Sequence, residues 1–235
     1  MAEVILALDV PGAEDALRLA GLPGLRWVKV GSILFTREGP PLVRELRARG
    51  LEVFLDLKWH DIPNTVAGAV ERAAELDVAM ATVHTLGGST MLRAAVAASA
   101  AAGRPGLVGV TVLTSHSAPE YGDAVGRETL LGAEAVRLAR LGAAAGLRGL
   151  VCSPLEVAEV RAAVGEGAWL VVPGIRDAGD AGDDQTRTAT AGAAARAGAT
   201  HLVVGRPVLR AADPGGALRR LTEEAARAPG PVGRA

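Results

Sequence analysis

Eight times along this chain a short run rich in Val, Ile and Leu gives way to a longer stretch of Ala, Leu and Arg at helical spacing. The apolar runs lie near residues 4–9, 26–31, 52–57, 79–84, 107–113, 148–152, 168–173 and 200–205, and the helical stretches near 13–20, 38–49, 64–77, 89–102, 129–145, 154–164, 187–198 and 214–228. Such alternation implies repeated βα units around a parallel sheet. Eight units in 235 residues predict an α/β fold, a (β/α)8 TIM barrel, in preference to an open doubly wound sheet. No Gly-x-Gly-x-x-Gly follows the first run, which weakens a dinucleotide-binding alternative. The barrel is expected to fill residues 1–228 as a single domain, with 229–235 a flexible C-terminal tail. Segments between elements are short except around 114–128 and 175–186, where a barrel of this kind keeps specificity loops and lids.

With 49% apolar residues and only 3% aromatic, the core has to be built from Ala, Val and Leu. A formal net charge of −1, with no long run of one sign, argues against nucleic acid or an anionic membrane surface as a partner. Affinity for an anion must therefore come from local groups. A single cysteine, Cys152, excludes an intramolecular disulfide and fits a reducing cytosol; in an apolar strand it reads as a core residue. Met1-Ala2-Glu3-Val4 enters a strand-like run without a basic segment or a long apolar one, so neither a signal peptide nor a membrane span is expected and the location is expected to be cytoplasmic.

Function in such barrels gathers at the C-terminal ends of the strands. Those ends carry Asp9, Lys29, Asp56 with Lys58, His84, Thr114 with Ser115, Ser153, Pro173-Gly174-Ile175-Arg176 and Gly205-Arg206. Side chains alternate faces along a strand. Ile5, Ala7 and Asp9 then face inward while Val4, Leu6 and Leu8 face out; Lys29 turns inward between outward Val28 and Val30; and Asp56 and Lys58 point the same way. Counted with Asp61, two lysines and three acids are expected to converge. A lone rim salt bridge is common and weak, but charges on an apolar strand end cost desolvation unless paired, and their repetition at matching strand ends favours a polar ligand.

The last two strand ends carry a separable signal. Gly174-Ile175-Arg176 and Gly205-Arg206-Pro207 combine glycine backbone N–H groups, a helix start and an arginine able to bond two oxygens, which is how the last two loops of a barrel frequently hold phosphate. Alone, Gly-Arg-Pro could be a helix start; opposite Gly174-Ile175-Arg176, it is read as a phosphate site. His60 and His84 lack a close third ligand, so they are expected to be packed and hydrogen-bonded, with no metal. Trp59 is read as filler beside the site or as a subunit contact.

The run Asp56-Leu57-Lys58-Trp59-His60-Asp61-Ile62-Pro63-Asn64-Thr65 resembles the signature of the orotidine 5′-monophosphate decarboxylase family. Further blocks match in that family's order: Ala7-Leu8-Asp9, Val28-Lys29-Val30-Gly31, Val83-His84, Thr111-Val112-Leu113-Thr114-Ser115, Val151-Cys152-Ser153, Pro173-Gly174-Ile175-Arg176, Asp184-Gln185 and Val204-Gly205-Arg206-Pro207. Trp59 and Thr85-Leu86 depart from the residues common in the family, though neither departure touches a charged position. The resemblance implies cofactor-independent loss of CO2 from the orotate ring to leave uridine 5′-monophosphate, with no metal. By the same resemblance Lys58 is the proton donor to C6, and Lys29, Asp56 and Asp61 complete its charged network. Asp61, Ile62 and Thr65 are expected to reach across a homodimer interface into the neighbouring site. Asp9 and Thr65 are expected on the ribose side and Thr114 or Ser115 at the pyrimidine. Gln185 is expected to bridge base and phosphate, and Pro173, Arg176, Gly205 and Arg206 to line the phosphate end. The run 177–185 is expected to act as a lid.

Two rivals stand beside this reading. One is a Mg²⁺-dependent phosphosugar enzyme on a related barrel, which also uses an Asp-x-Lys-x-x-Asp strand end but requires a further metal-binding carboxylate near strand two, where this chain has Lys29. The other is a non-catalytic nucleotide-binding barrel. Retention of activity in a chelator separates the first, and nucleotide binding without turnover the second.

Overall fold

The computed structural model describes residues 1–176 and 187–227. The expected tail at 229–235, the lid run 177–185 and Gln185 lie outside the described residues. Eight parallel strands close into one barrel in sequence order: β1 (Glu3–Ala7), β2 (Trp27–Gly31), β3 (Glu52–Trp59), β4 (Met80–His84), β5 (Gly106–Val110), β6 (Gly149–Val151), β7 (Trp169–Val172) and β8 (His201–Val204). Ile5 of β1 pairs with Trp27 on one side and Val203 on the other, and this double pairing removes any free sheet edge. The (β/α)8 barrel expected from the alternation of runs is the fold observed.

Around the barrel lie α1 (Ala13–Leu19), α2 (Ser32–Ala48), α3 (Pro63–Ala74), α4 (Gly88–Ala102), α5 (Ala118–Val125), α6 (Leu131–Ala144), α7 (Val157–Val164), α8 (Ala191–Arg196), the single turn α9 (Arg206–Leu209) and α10 (Pro214–Arg227). Two of these differ from the periodicity. The helix expected from residue 38 begins at Ser32, because helical backbone resumes across a kink at Gly39, whose φ of +63° precedes Pro40 and Pro41. The long segment at 114–128 contains α5, opened by a capping box in which the Ser117 hydroxyl accepts from the Glu120 N–H and the Glu120 carboxylate accepts from the Ser117 N–H.

Strand alternation divides the core as the sequence indicates. Val4, Leu6, Leu8, Val28, Val30 and Leu55 face the helices in the large outer cluster. Ile5, Ala7, Phe54, Met80, Val108, Val171 and Val203 fill the barrel interior with Trp27 and Ala79. At the N-terminal end of the strands the interior is closed by aromatic rings. His201 meets Trp27 edge-on at 5.4 Å and Trp169 at 5.1 Å between ring centroids. Two of the chain's three tryptophans thus plug the face opposite the strand ends that carry charge.

Burial, with the Arg148 charge adding to it, holds the His201 imidazole down at about 4 from an ordinary 6.5. An unfolded chain therefore takes up this proton first as pH falls. The stability due to neutral His201 is complete above about pH 6.5 and drains as pH drops towards 4, by at most about 3 kcal/mol. His201→Phe keeps an aromatic plug and removes that part of the acid slope. Urea unfolding at pH 7 and pH 4.5 should show a smaller loss in the variant; equal losses in both proteins would mean that His201 does not contribute.

Candidate active site

The C-terminal end of β3 departs from a regular strand. Between the register pairs Leu55↔Ala81 and Trp59↔Val83, β3 places Asp56, Leu57 and Lys58 opposite the single residue Thr82 of β4. Such a bulge bends the strand and re-aims its side chains. Lys58 accommodates it with φ +52°, a left-handed conformation that costs a residue with a side chain about 1–3 kcal/mol. Strand alternation leads to the expectation that Asp56 and Lys58 point together; they do, but across this bulge and not along a regular pleat.

The result is an alternating line of charges. Lys29 Nζ donates to Asp9 Oδ1 at 3.0 Å and lies 3.6 Å from Asp56 Oδ2, while Lys58 Nζ donates to Asp56 Oδ1 at 2.9 Å. The two inner members are shielded, with Lys29 and Asp56 side chains 11% and 13% exposed, whereas Asp9 and Lys58 at the ends are 60% and 40% exposed. Shielding strengthens each attraction and makes each unpaired charge costly, so the order acid–base–acid–base is the arrangement in which every neighbour is opposite in sign. Gly31 makes room for it: a Cβ at that position would sit 3.0 Å from Lys29 Nζ and 3.6 Å from Asp9 Oδ1.

Asp9, Lys29, Asp56 and Lys58 line one side of a cavity of about 620 Å³ whose floor is Ala7, Phe54, Val151, Cys152, Val171 and Val203. Thr114, Pro173, Gly174, Arg176, Gly205 and Arg206 line the same cavity. Gly174 takes φ +80°, which lets the chain turn after β7. Arg176 Nη2 is buried with no hydrogen-bond partner among the described residues, so a donor is held ready for an acceptor. The cavity therefore has an apolar floor, an alternating charge line at one side and cationic, glycine-rich loops elsewhere on its rim. Arg210, one helical turn beyond Arg206, also lines it; the i, i+4 spacing after a glycine-arginine strand end is the signal that could have found it.

The remaining expected residues are placed elsewhere. Ser115 is exposed and outside the cavity lining. Asp61, Ile62 and Thr65 are exposed as well, at the start of α3, where the Asp61 carboxylate accepts from the Ile62 N–H at 2.6 Å. The five charges expected to converge are thus four within one chain, because the backbone leaves the barrel mouth after Trp59 and carries Asp61 outward. His84 is not hydrogen-bonded as expected. Its Nδ1 is buried without a partner among the described residues, its ring stacks on His60 at 5.5 Å, and burial, with the His60 and Lys58 charges behind it, lowers it to about 4. Cys152 is core, 1% exposed, with burial pushing its thiol upward.

One buried ion pair escaped the sequence reading. Arg187 pairs with Glu156, whose carboxylate also accepts from the Ser153 N–H at 3.0 Å, and Arg187 Nη2 donates to the Leu113 carbonyl at 2.8 Å. Its side chain therefore ties the loop after β5, next to Thr114, to the loop after β6. No short motif announces two such residues 31 positions apart.

Fold and cavity together define a single-domain (β/α)8 barrel whose charged cavity-lining side chains gather at the C-terminal strand ends. The profile of the Orotidine 5′-phosphate decarboxylase / HUMPS family matches residues 2–221, and the chain belongs to that family. It is 52% identical over 233 residues to the orotidine 5′-phosphate decarboxylase of Halorhodospira halophila, with 96% of each chain covered. To the enzyme of the same name from Opitutus terrae it is 50% identical over 227 residues, covering 94% of this chain and 97% of the relative. The crystal structure of orotidine 5′-phosphate decarboxylase from Lactobacillus acidophilus superposes with a TM-score of 0.86 at 33% identity, covering 96% of this chain and 99% of that one.

Burial pushes the Glu156 carboxyl upward against the opposing pull of Arg187. Removing the arginine leaves that group buried without its partner, so Arg187→Ala should lower stability by about 3 kcal/mol, while Arg187→Met combined with Glu156→Gln should recover most of the loss. Denaturant midpoints of the three proteins measure this, and a stable Arg187→Ala protein would contradict it.

Proposed function

We propose that this chain decarboxylates orotidine 5′-monophosphate to uridine 5′-monophosphate and CO2 without a cofactor, as the last step of de novo pyrimidine nucleotide synthesis. The observation that carries the reading is a single cavity bearing both the Asp9–Lys29–Asp56–Lys58 line and the Arg176, Gly205 and Arg206 strand ends. Curated relatives at about half identity over nearly the whole chain, named orotidine 5′-phosphate decarboxylase, support it.

Loss of CO2 from C6 leaves an electron pair in an in-plane orbital that the ring delocalises poorly. A fixed cation beside that carbon stabilises the charge as it develops, and an ammonium can then deliver the proton. Lys58 takes both roles in this reading, held by Asp56. Asp56 also faces the departing carboxylate; two unit charges 4 Å apart at an effective dielectric near 20 interact by roughly 4 kcal/mol, and that repulsion is relieved as CO2 leaves. Lys29, 3.6 Å from Asp56 Oδ2, holds that carboxylate in place, and Asp9 bonds the ribose side. Thr114 reads the pyrimidine, with Ser115 beside it, and Pro173, Arg176, Gly205 and Arg206 hold the phosphate. Binding energy gained there, remote from C6, orients the ring against the charges. Gln185 is assigned to the bridge between base and phosphate.

The same reading makes the protein a homodimer. Asp61, Ile62 and Thr65 do not line the cavity of their own chain, and Ile62 is an apolar side chain left 66% exposed beside them. In a two-fold assembly these residues complete the partner's site, Asp61 adding a second carboxylate near Lys58 and Thr65 a contact to the ribose. Ile62→Asp should therefore shift sedimentation from dimer to monomer and lower kcat/KM together; an active monomer would refute the shared site. No described helix is long and apolar enough to cross a membrane, and a cytoplasmic location is part of this proposal.

The family also takes in HUMPS proteins, and a Mg²⁺-dependent phosphosugar reaction is the competing chemistry. It calls for a metal-binding carboxylate near the end of β2, where this chain presents Lys29. Purified protein should turn over orotidine 5′-monophosphate equally with and without EDTA. Lys58→Ala should reduce product formation below detection while uridine 5′-monophosphate still binds in a calorimeter. Chelator-sensitive turnover, or a Lys58→Ala rate near that of the wild type, would overturn the assignment.

A further inference from the structure

We propose that Thr82, on the strand beside the charged line, is a positioning residue that holds Lys58 and Asp56 in their mutual geometry; the proposal rests on the decarboxylase reading above. Thr82 does not line the cavity. It lies on the inward face of β4 between Met80 and His84, 1% exposed. Its one hydroxyl serves both members of the pair: the oxygen accepts from the Lys58 N–H at 2.8 Å, and the proton goes to Asp56 Oδ1 at 3.1 Å.

The need for such a residue follows from the bulge. Three residues of β3 face Thr82 alone, so the Lys58 N–H meets a side-chain oxygen where a regular ladder would offer a carbonyl. The hydroxyl stands in for that missing rung, and it does so at the residue whose φ of +52° needs outside support to persist. Threonine suits the task because its branched Cβ restricts χ1, fixing the hydroxyl direction, and because one hydroxyl can donate and accept at once. Asp56 Oδ1 then receives two donors, the Thr82 hydroxyl and Lys58 Nζ at 2.9 Å, leaving Oδ2 towards Lys29 at 3.6 Å. The carboxylate's rotation about its own bond is thereby set from β4, and with it the place of the Lys58 ammonium.

Thr82→Val keeps shape and volume but deletes both hydrogen bonds. The ammonium is misplaced relative to C6, while the phosphate-holding strand ends across the cavity are untouched. A misplacement on the ångström scale costs a reaction of this kind up to about 100-fold. The expected result is a kcat about 10- to 100-fold below wild type, with KM and the calorimetric Kd for uridine 5′-monophosphate within about 3-fold of wild type. Thr82→Ser, which retains the hydroxyl, should recover most of kcat. Thr82→Ala serves as the second deletion if the valine variant melts early. Three results would overturn the proposal: wild-type kcat in folded Thr82→Val or Thr82→Ala, a serine variant as slow as valine, or a rise in the nucleotide Kd matching the fall in kcat. Failure of the wild-type protein itself to decarboxylate orotidine 5′-monophosphate refutes the underlying reading and is seen before any variant is compared.

Discussion

The Asp56 carboxylate is the interaction on which the rest of the site depends. It is shielded from water, and each of its oxygens faces a different lysine, Oδ1 towards Lys58 and Oδ2 towards Lys29. Without its negative charge the Lys29 and Lys58 ammonium groups would be left near each other with no counter-charge between them, Lys29 largely shielded from water. With it, each lysine has an opposite charge within 3.6 Å beside the barrel mouth. Nearby features follow from that need. Gly31 leaves space for the Lys29 ammonium, Asp9 caps the line from the solvent side, and Thr82 supplies the neutral hydrogen bond that aims Oδ1.

The barrel supplies the rigidity that such an arrangement demands. Beneath the charges lies a packed interior of Ile5, Phe54, Met80, Val108, Val171 and Val203, closed at the far end by Trp27, His201 and Trp169. The carriers of charge, β1, β2 and β3, are neighbours in the sheet, joined by consecutive parallel registers. Lys29, Asp56 and Lys58 reach one another from adjacent strands, and Asp9 joins them from two residues past the end of β1. Glu156 and Arg187 perform a looser version of the same task further round, linking two loops by a buried ion pair where no ladder joins them.

How far the sequence revealed this can be argued residue by residue. The barrel was legible because eight apolar runs with helical stretches between them fit a closed (β/α)8 barrel better than an open sheet, and the inward or outward sense of Ala7, Val28 and Lys29 followed from a period of two. The same reasoning put Asp9, Lys29, Asp56 and Lys58 together. It did not see the bulge, because a shift of register against β4 leaves no mark in the residues of β3 alone. Asp61 looked like a fifth member of the line for the same reason: periodicity cannot say where the backbone leaves the barrel. Thr82 lies in an apolar run and Glu156 and Arg187 in helical stretches, and nothing in the sequence singles out any of the three, because burial of a polar group depends on what packs over it.

The bulge carries the last physical consequence. A regular strand would separate the Cα atoms of Asp56 and Lys58 by two full residues of rise, roughly 6–7 Å, and set their side chains parallel. Within the bulge Lys58 Nζ reaches to 2.9 Å from Asp56 Oδ1 while the main chain at Lys58 takes a conformation that few side chains tolerate. Strain of this sort persists only where the surroundings over-determine it. Here two linked constraints do so, the ion pair through the side chain and the Thr82 hydroxyl through the amide, joined by that hydroxyl's bond to Asp56 Oδ1. Each corrects for looseness in the other: a long flexible lysine is fixed at both its root and its tip. In the proposed decarboxylation, a cation fixed in this way would meet the developing negative charge without having to reorganise, which is the condition under which electrostatic stabilisation of a transition state is greatest.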